Sequence, residues 1–68
     1  MEVHAEITAN VWQVRVEVGQ AVAIGDELVI LESMKMEIPV VAEAAGTVSG
    51  LVAEGSVVQE GDLLATIG

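Results

Sequence analysis

The residue with the clearest chemical potential in this sequence is Lys35, the only lysine among 68 residues. It lies in the stretch LESMKMEI, directly between Met34 and Met36. A lysine amine forms an amide when it attacks an activated acyl group. Methionine side chains are flexible and polarisable, so an exposed pair suits a surface that several partners must recognise. The pattern favours a recognition element centred on Lys35 over the commoner interpretation of a solvated surface lysine.

Other side chains offer little catalytic chemistry. The chain has no cysteine and no tyrosine, and its single histidine, His4, has neither a cysteine nor a second histidine with which to hold a metal. We expect His4 to be solvated in a frayed terminus. Asp26 and Asp62 each follow a glycine, where a short carboxylate bonds the local backbone and fixes a turn. The isolated chain is therefore not expected to be an enzyme.

Composition and charge exclude several kinds of partner. The chain has 11 acidic and 2 basic residues and a formal net charge of −9, which disfavours binding to nucleic acid or to anionic lipid. The N-terminus lacks the basic region of a signal peptide, and no apolar run approaches the ~20 residues that span a bilayer. We expect a cytoplasmic protein that is monomeric in isolation and has no membrane or nucleic-acid partner.

An internal repeat places Lys35 between two similar halves. Residues 9–32 align with residues 45–68, and seven positions are identical where composition alone would give roughly two or three. The identical pairs are Ala9/Ala45, Val16/Val52, Gly19/Gly55, Val22/Val58, Gly25/Gly61, Asp26/Asp62 and Leu28/Leu64. The repeat predicts one domain over residues 1–68, in which the glycines shape the turns.

Hydrophobic periodicity predicts short strands in each half. The stretch VWQVRVEV alternates strictly, so Trp12 and the valines at even positions are expected to face a core. Glycine turns follow at regular spacing, which is typical of an all-β sandwich or barrel. The remaining apolar positions of this pattern complete the predicted core, which consists of Val14, Val16, Val22, Leu28, Ile30, Val52, Val58 and Leu64.

The segment around Lys35 can be interpreted as a helix or as a hairpin. Residues 27–37 are rich in good helix formers. They align, however, with the strand-like LATI of the second half, and Pro39 follows, so we favour strand, turn, strand. A two-residue turn would put Met34 and Lys35 in left-handed backbone conformations, which residues other than glycine rarely adopt.

These features resemble the biotin carboxyl carrier, or biotinyl-lipoyl attachment, domain family. The similarity covers about residue 7 to the C-terminus; ESMKME is its specific part, whereas the glycine units are shared with lipoyl domains. It implies an all-β flattened barrel or sandwich of two four-stranded antiparallel sheets with quasi-twofold symmetry, and the modified lysine on a hairpin turn. The chain departs from the family pattern at Asn10, aligned with Gly46 of its own second half.

The resemblance also implies a function. A biotin protein ligase would attach biotin covalently to Lys35, and Met34, Met36 and Glu32 would help partners recognise the tip. A biotin carboxylase would load the biotin with a carboxyl group, and a carboxyltransferase would unload it. Two alternatives stay open: a lipoyl carrier, which usually has an acidic residue before the lysine, and a regulatory module that keeps the fold and works without the modification.

Overall fold

The computed structural model describes all residues from Met1 to Gly68 and contains eight strands and no helix, so nothing in it could cross a membrane as a helix. The strands are β1 Glu2–His4, β2 Ala9–Val14, β3 Ala21–Val22, β4 Glu27–Ser33, β5 Met36–Val41, β6 Gly46–Leu51, β7 Val57–Val58 and β8 Leu63–Ile67. Every pairing is antiparallel. The predicted all-β class is confirmed.

The strands form two four-stranded sheets that are related by the internal repeat. One sheet has the order β1-β8-β6-β3 and the other has the order β5-β4-β2-β7. Each pairing of the first sheet has a counterpart in the second: β8 with β6 corresponds to β4 with β2, and β1 with β8 corresponds to β5 with β4. The predicted sandwich of two antiparallel sheets with quasi-twofold symmetry is therefore confirmed.

The core between the sheets is built from aliphatic side chains alone. All 15 buried residues are valine, leucine, isoleucine or alanine. Of the predicted core, five residues are buried, namely Val16, Val22, Leu28, Val58 and Leu64, and Val14 and Val52 are half-buried and pack against it. The prediction for Ile30 is wrong: it alternates with the buried Val29 and Leu31 and is half-buried on the opposite face of β4. A core without aromatic rings depends on close packing of small aliphatic side chains.

Trp12 is not in the core, and the prediction that it faces inward is wrong. Its side chain is 43% exposed, whereas its neighbour Val11 is 1% exposed. The cause is a β-bulge in β2: Val11 pairs with Leu31, but Gln13 pairs with Ile30, so one extra residue is inserted between them. An inserted residue reverses which side chains face the core, and a strict alternation in the sequence cannot reveal it.

Strands β2 and β6 carry the same bulge, but they correspond at an offset one residue larger than the rest of the repeat. Val11 pairs with Leu31, and its counterpart Val48 pairs with Ile67, one residue later than the sequence alignment assumed. Gly46 therefore corresponds to Ala9, and the comparison of Gly46 with Asn10 is wrong. A Cβ on Gly46 would lie 2.7 Å from Cγ2 of Ile67, so this position excludes side chains by close approach and not by a turn.

The N-terminus is ordered, so the predicted fraying is also wrong. Strand β1 pairs with β8, and the terminal amine of Met1 donates to the carbonyl of Ile67. His4 is exposed and lies 3.0 Å from the carbonyl oxygen of Gly61 through Nδ1 and 3.3 Å from the carboxylate of Glu2 through Nε2. Through these contacts His4 ties the terminus to the turn at Gly61.

The turns preceding β4 and β8 share one construction. Gly25 and Gly61 both have φ of 92°, a left-handed conformation that glycine adopts without steric cost. The aspartate that follows the glycine closes each turn. The N–H of Ala23 donates to Asp26 Oδ2, and the N–H of Gln59 donates to Asp62 Oδ2, both at 2.8 Å. The predicted roles of the glycines and aspartates are confirmed.

We expect Gly25→Val to lower the free energy of unfolding by about 1 to 3 kcal/mol, the usual cost of forcing a branched residue into this region. The cost is purely conformational, because a Cβ on Gly25 would meet no atom within 4 Å. Asp26→Ala removes one exposed hydrogen bond and should cost less, about 0.5 to 1.5 kcal/mol. Urea denaturation of both variants checks the order; a Gly25→Val protein as stable as wild type would contradict this description of the turn.

Candidate cofactor attachment site

Lys35 lies at the tip of the hairpin formed by β4 and β5. The two strands pair from Glu27 opposite Val41 to Ser33 opposite Met36, which leaves Met34 and Lys35 as a two-residue turn. Their φ angles are 52° and 65°, positive at both central positions as a type I′ turn requires. The strand-turn-strand prediction is confirmed, and the helix is excluded.

This backbone is strained, and the strands below hold it in place. A residue other than glycine in a left-handed conformation costs of order 1 to 3 kcal/mol, and such strain persists only where the surroundings enforce it. Strand β4 is central in its sheet, paired with β2 on one side and β5 on the other. Its residues Val29 and Leu31 are 0% and 1% exposed. The tip is therefore anchored in the core and projects Lys35 on a fixed turn.

The tip exposes one cation between two apolar side chains. Met34 is 89% exposed and Met36 is 60% exposed, and Lys35 is exposed between them. Lys35 has no ion-pair partner, because the two ion pairs of the protein join His4 to Glu2 and Arg15 to Glu27. An exposed, unpaired amine is accessible to the active site of another protein. Large apolar side chains left in water around it are typical of a surface that a partner covers.

A pair of carboxylates lies directly below the tip. Glu32 and Glu37 are opposite each other on β4 and β5, one residue pair away from Ser33 and Met36, and both are exposed. Like charges directly opposite in an antiparallel pair reduce stability. The sequence reasoning named Glu32 but missed Glu37, although the hairpin register alone would have paired them. The tip thus combines a cation, two thioethers and two carboxylates within one turn and its adjoining residues.

The predicted tip residues lie together, and the other titratable residues singled out in the sequence lie elsewhere. The structure brings together Lys35, Met34, Met36 and Glu32 as predicted, whereas His4 lies on the other sheet and Asp26 at the far end of β4. No group of three or more histidine, cysteine, aspartate or glutamate side chains is placed to hold a metal ion. An amine with this accessibility fits a covalently attached acyl cofactor, since nothing in the fold occludes it.

Two antiparallel sheets with quasi-twofold symmetry, one of which carries a hairpin that presents a single lysine, define a small carrier domain of the biotinyl and lipoyl class. Residues 2–67 match the family model described as "Biotin-requiring enzyme". The chain therefore belongs to this biotinyl-domain carrier family, whose cofactor is covalently attached biotin.

Individual proteins show the same relationship. The chain is 55% identical over 67 residues to the biotinylated protein TB7.3 homolog of Mycobacterium leprae, covering 97% of this chain and 94% of that protein. The urea carboxylase of Kluyveromyces lactis is 35% identical with a TM-score of 0.92 over 100% of this chain and 6% of its own. The lipoyl domain of the Azotobacter vinelandii 2-oxoglutarate dehydrogenase complex is 27% identical to this chain and superposes with a TM-score of 0.84. The match covers 98% of this chain and 94% of that domain.

Proposed function

We propose that residues 1–68 act as one non-catalytic carrier domain and that Lys35 is the residue to which biotin is attached. The observation that carries this proposal is the placement of the only lysine, exposed and unpaired, on a strained two-residue turn in a chain of the biotin-requiring family. We also infer a cytoplasmic location, where biotin-dependent carboxylation would take place.

The attachment step uses the Lys35 amine as a nucleophile. A biotin protein ligase supplies biotinyl-adenylate; Nζ attacks its carbonyl carbon, the C–N amide bond forms, and the bond to the phosphate oxygen breaks to release AMP. The attacking amine must be neutral, and a base of the ligase takes up its proton. Met34 and Met36 provide the apolar contacts that seat the tip in the ligase.

The carrier's own contribution after modification is positional. Once attached to Lys35, biotin would supply the chemistry of carboxyl transfer between a biotin carboxylase and a carboxyltransferase. The strained turn fixes the position of the Lys35 backbone relative to the domain. The arm therefore enters each partner active site from the same point on the carrier surface. Tethering raises the local concentration of the cofactor at both sites without any new catalytic group.

The lipoyl alternative is disfavoured by the residues that flank the lysine. A lipoyl carrier usually has an acidic residue before the lysine and a small one after it, and Met34 and Met36 occupy these positions. Offered both ligases and both cofactors together, the wild-type protein should therefore take biotin and no lipoate, as measured by intact mass. Lipoate on the wild-type protein would contradict the proposal.

The flanking methionines allow a sharper test. We expect Met34→Asp combined with Met36→Ala to lower kcat/KM for carboxylation by about tenfold, because a loss of roughly 1.4 kcal/mol of apolar contact corresponds to that factor. The same variant should accept some lipoate. Ile24→Asp is the matched control, since Ile24 is 73% exposed at the other end of β4 and its replacement should leave carboxylation unchanged. If kcat/KM for carboxylation fell equally in the double methionine variant and in Ile24→Asp, the partner enzyme would not be recognising the methionines.

A further inference from the structure

An apolar row crosses the outer face of the sheet that carries Lys35. It consists of Trp12 on β2, Ile30 on β4 and Pro39 on β5. Ile30 is opposite Pro39, and the bulge places both Trp12 and Gln13 opposite Ile30, so the three apolar residues lie side by side on neighbouring strands. Trp12 is 43% exposed, Pro39 is exposed and Ile30 is half-buried. The row presents an aromatic ring and two aliphatic neighbours to solvent.

The quasi-twofold symmetry shows that the fold does not require this row. The corresponding positions of the other sheet are Ser49 in the bulge of β6, Thr66 on β8 and Glu2 on β1, paired in the same register. All three are polar, and Ser49 Oγ donates to the carbonyl of Thr66 at 3.3 Å. Equivalent backbone with polar side chains is therefore stable, so the apolar residues occur only on the lysine-bearing sheet for a reason other than folding.

The row lies within reach of an arm that begins at Lys35. From Ser33 opposite Met36 to Ile30 opposite Pro39 is three residues along the strands, or about 10 Å at ~3.4 Å per residue. In a biotinylated lysine roughly eleven bonds separate Cα from the bicyclic ring, which is about 14 Å when extended, given bond lengths of ~1.5 Å. Acylation also removes the ammonium charge, which would otherwise keep the arm in water.

We propose that the biotinylated arm of Lys35 folds back along the hairpin and packs its ring against the apolar row, with the Trp12 indole as the main contact. The inference rests on the proposed attachment of biotin to Lys35. The apolar row then binds the biotin ring when no partner enzyme is present. A partner enzyme that binds the tip must displace the ring from the row. Modification at Lys35 would change the environment of a side chain in a different strand.

Trp12 itself reports this docking. It is the only tryptophan, and the chain has no tyrosine or phenylalanine, so emission comes from one side chain. The protein is acylated with the N-hydroxysuccinimide ester of biotin, which requires no ligase. We expect acrylamide quenching of Trp12 to fall by roughly half, because a packed ring covers one exposed face of the indole. Lys35→Arg treated identically carries biotin only on the Met1 amine and should show no change.

Two further comparisons separate docking from other causes. Acetylating Lys35 removes the charge without adding an arm, and it should leave quenching unchanged. Ile30→Thr copies the residue at the equivalent position of the other sheet, Thr66, so the variant should fold but lose most of the biotin effect. The proposal is overturned if acetyl and biotinyl proteins are quenched equally, or if Trp12 is protected only when a carboxylase is added, which would make the row a protein-docking surface.

This design distinguishes the inference from the function on which it rests. If the chemically biotinylated protein shows protection of Trp12 but a biotin protein ligase does not modify the chain, the proposed function fails and the docking surface stands. If the ligase modifies Lys35 and Trp12 is equally quenched with and without biotin, the docking inference fails and the carrier function stands.

Discussion

Replacing Lys35 with arginine should give a folded protein that accepts no biotin at all. The guanidinium keeps the charge but stays protonated at any working pH and cannot attack an activated acyl group. The side chain at a turn tip contributes little to the core, and the arginine has the same left-handed backbone requirement as the lysine. Intact mass after expression with a biotin protein ligase, together with thermal denaturation, measures both parts of this prediction.

The same variant tests the regulatory alternative. A module that works without modification would keep its activity in the Lys35→Arg protein, whereas a carrier loses carboxylation completely. The wild-type protein should also separate from its modified form by isoelectric focusing. Acylation removes the only lysine charge, so the modified chain is one unit more negative than the −9 of the unmodified chain. Biotin found on the Lys35→Arg protein would place the attachment site elsewhere.

Truncating Leu28 to alanine should have the largest effect on stability. Leu28 is 0% exposed near the start of β4, and deleting a fully buried leucine costs about 2 to 5 kcal/mol. A domain of this size has a total stability of roughly 3 to 10 kcal/mol, so the loss is a large part of it. We expect the melting temperature to fall by about 10 °C or more, at ~4 to 8 °C per kcal/mol.

Leu63 offers a matched control for this substitution. It is the same residue type in a strand of the same barrel but is 46% exposed, so Leu63→Ala should change stability by less than about 1 kcal/mol. Comparable melting temperatures for Leu28→Ala and Leu63→Ala would show that the core does not lie where the structure places it.

Much of the fold follows from signals that are local in the sequence. The glycines at turns, with φ near 90°, and the aspartates beside them are recognisable because few other residues meet those backbone requirements. The hairpin at Lys35 was predictable because its strands resemble those of the second half. Its two left-handed residues followed from the turn length alone, since a two-residue loop must match the twist of the strands.

The wrong prediction for Trp12 has a physical origin, because tertiary packing decides where a β-bulge forms. Alternation in VWQVRVEV predicted Trp12 inside, but the bulge beside Ile30 inverts the alternation and turns the indole outward. The alignment at Gly46 failed for a different reason, because β2 and β6 correspond at an offset one residue larger than the rest of the repeat. The ordered N-terminus was missed because β1 is three residues long and becomes a strand only through its pairing with β8, a contact that no local pattern reveals.

The most direct test of the carrier assignment is the mass of the wild-type protein after expression with an active biotin protein ligase, followed by peptide mapping. We expect a single biotinyl group per chain, located on the peptide that contains Met34, Lys35 and Met36. An unmodified chain, a lipoyl group at this position or biotin on any other residue would contradict it.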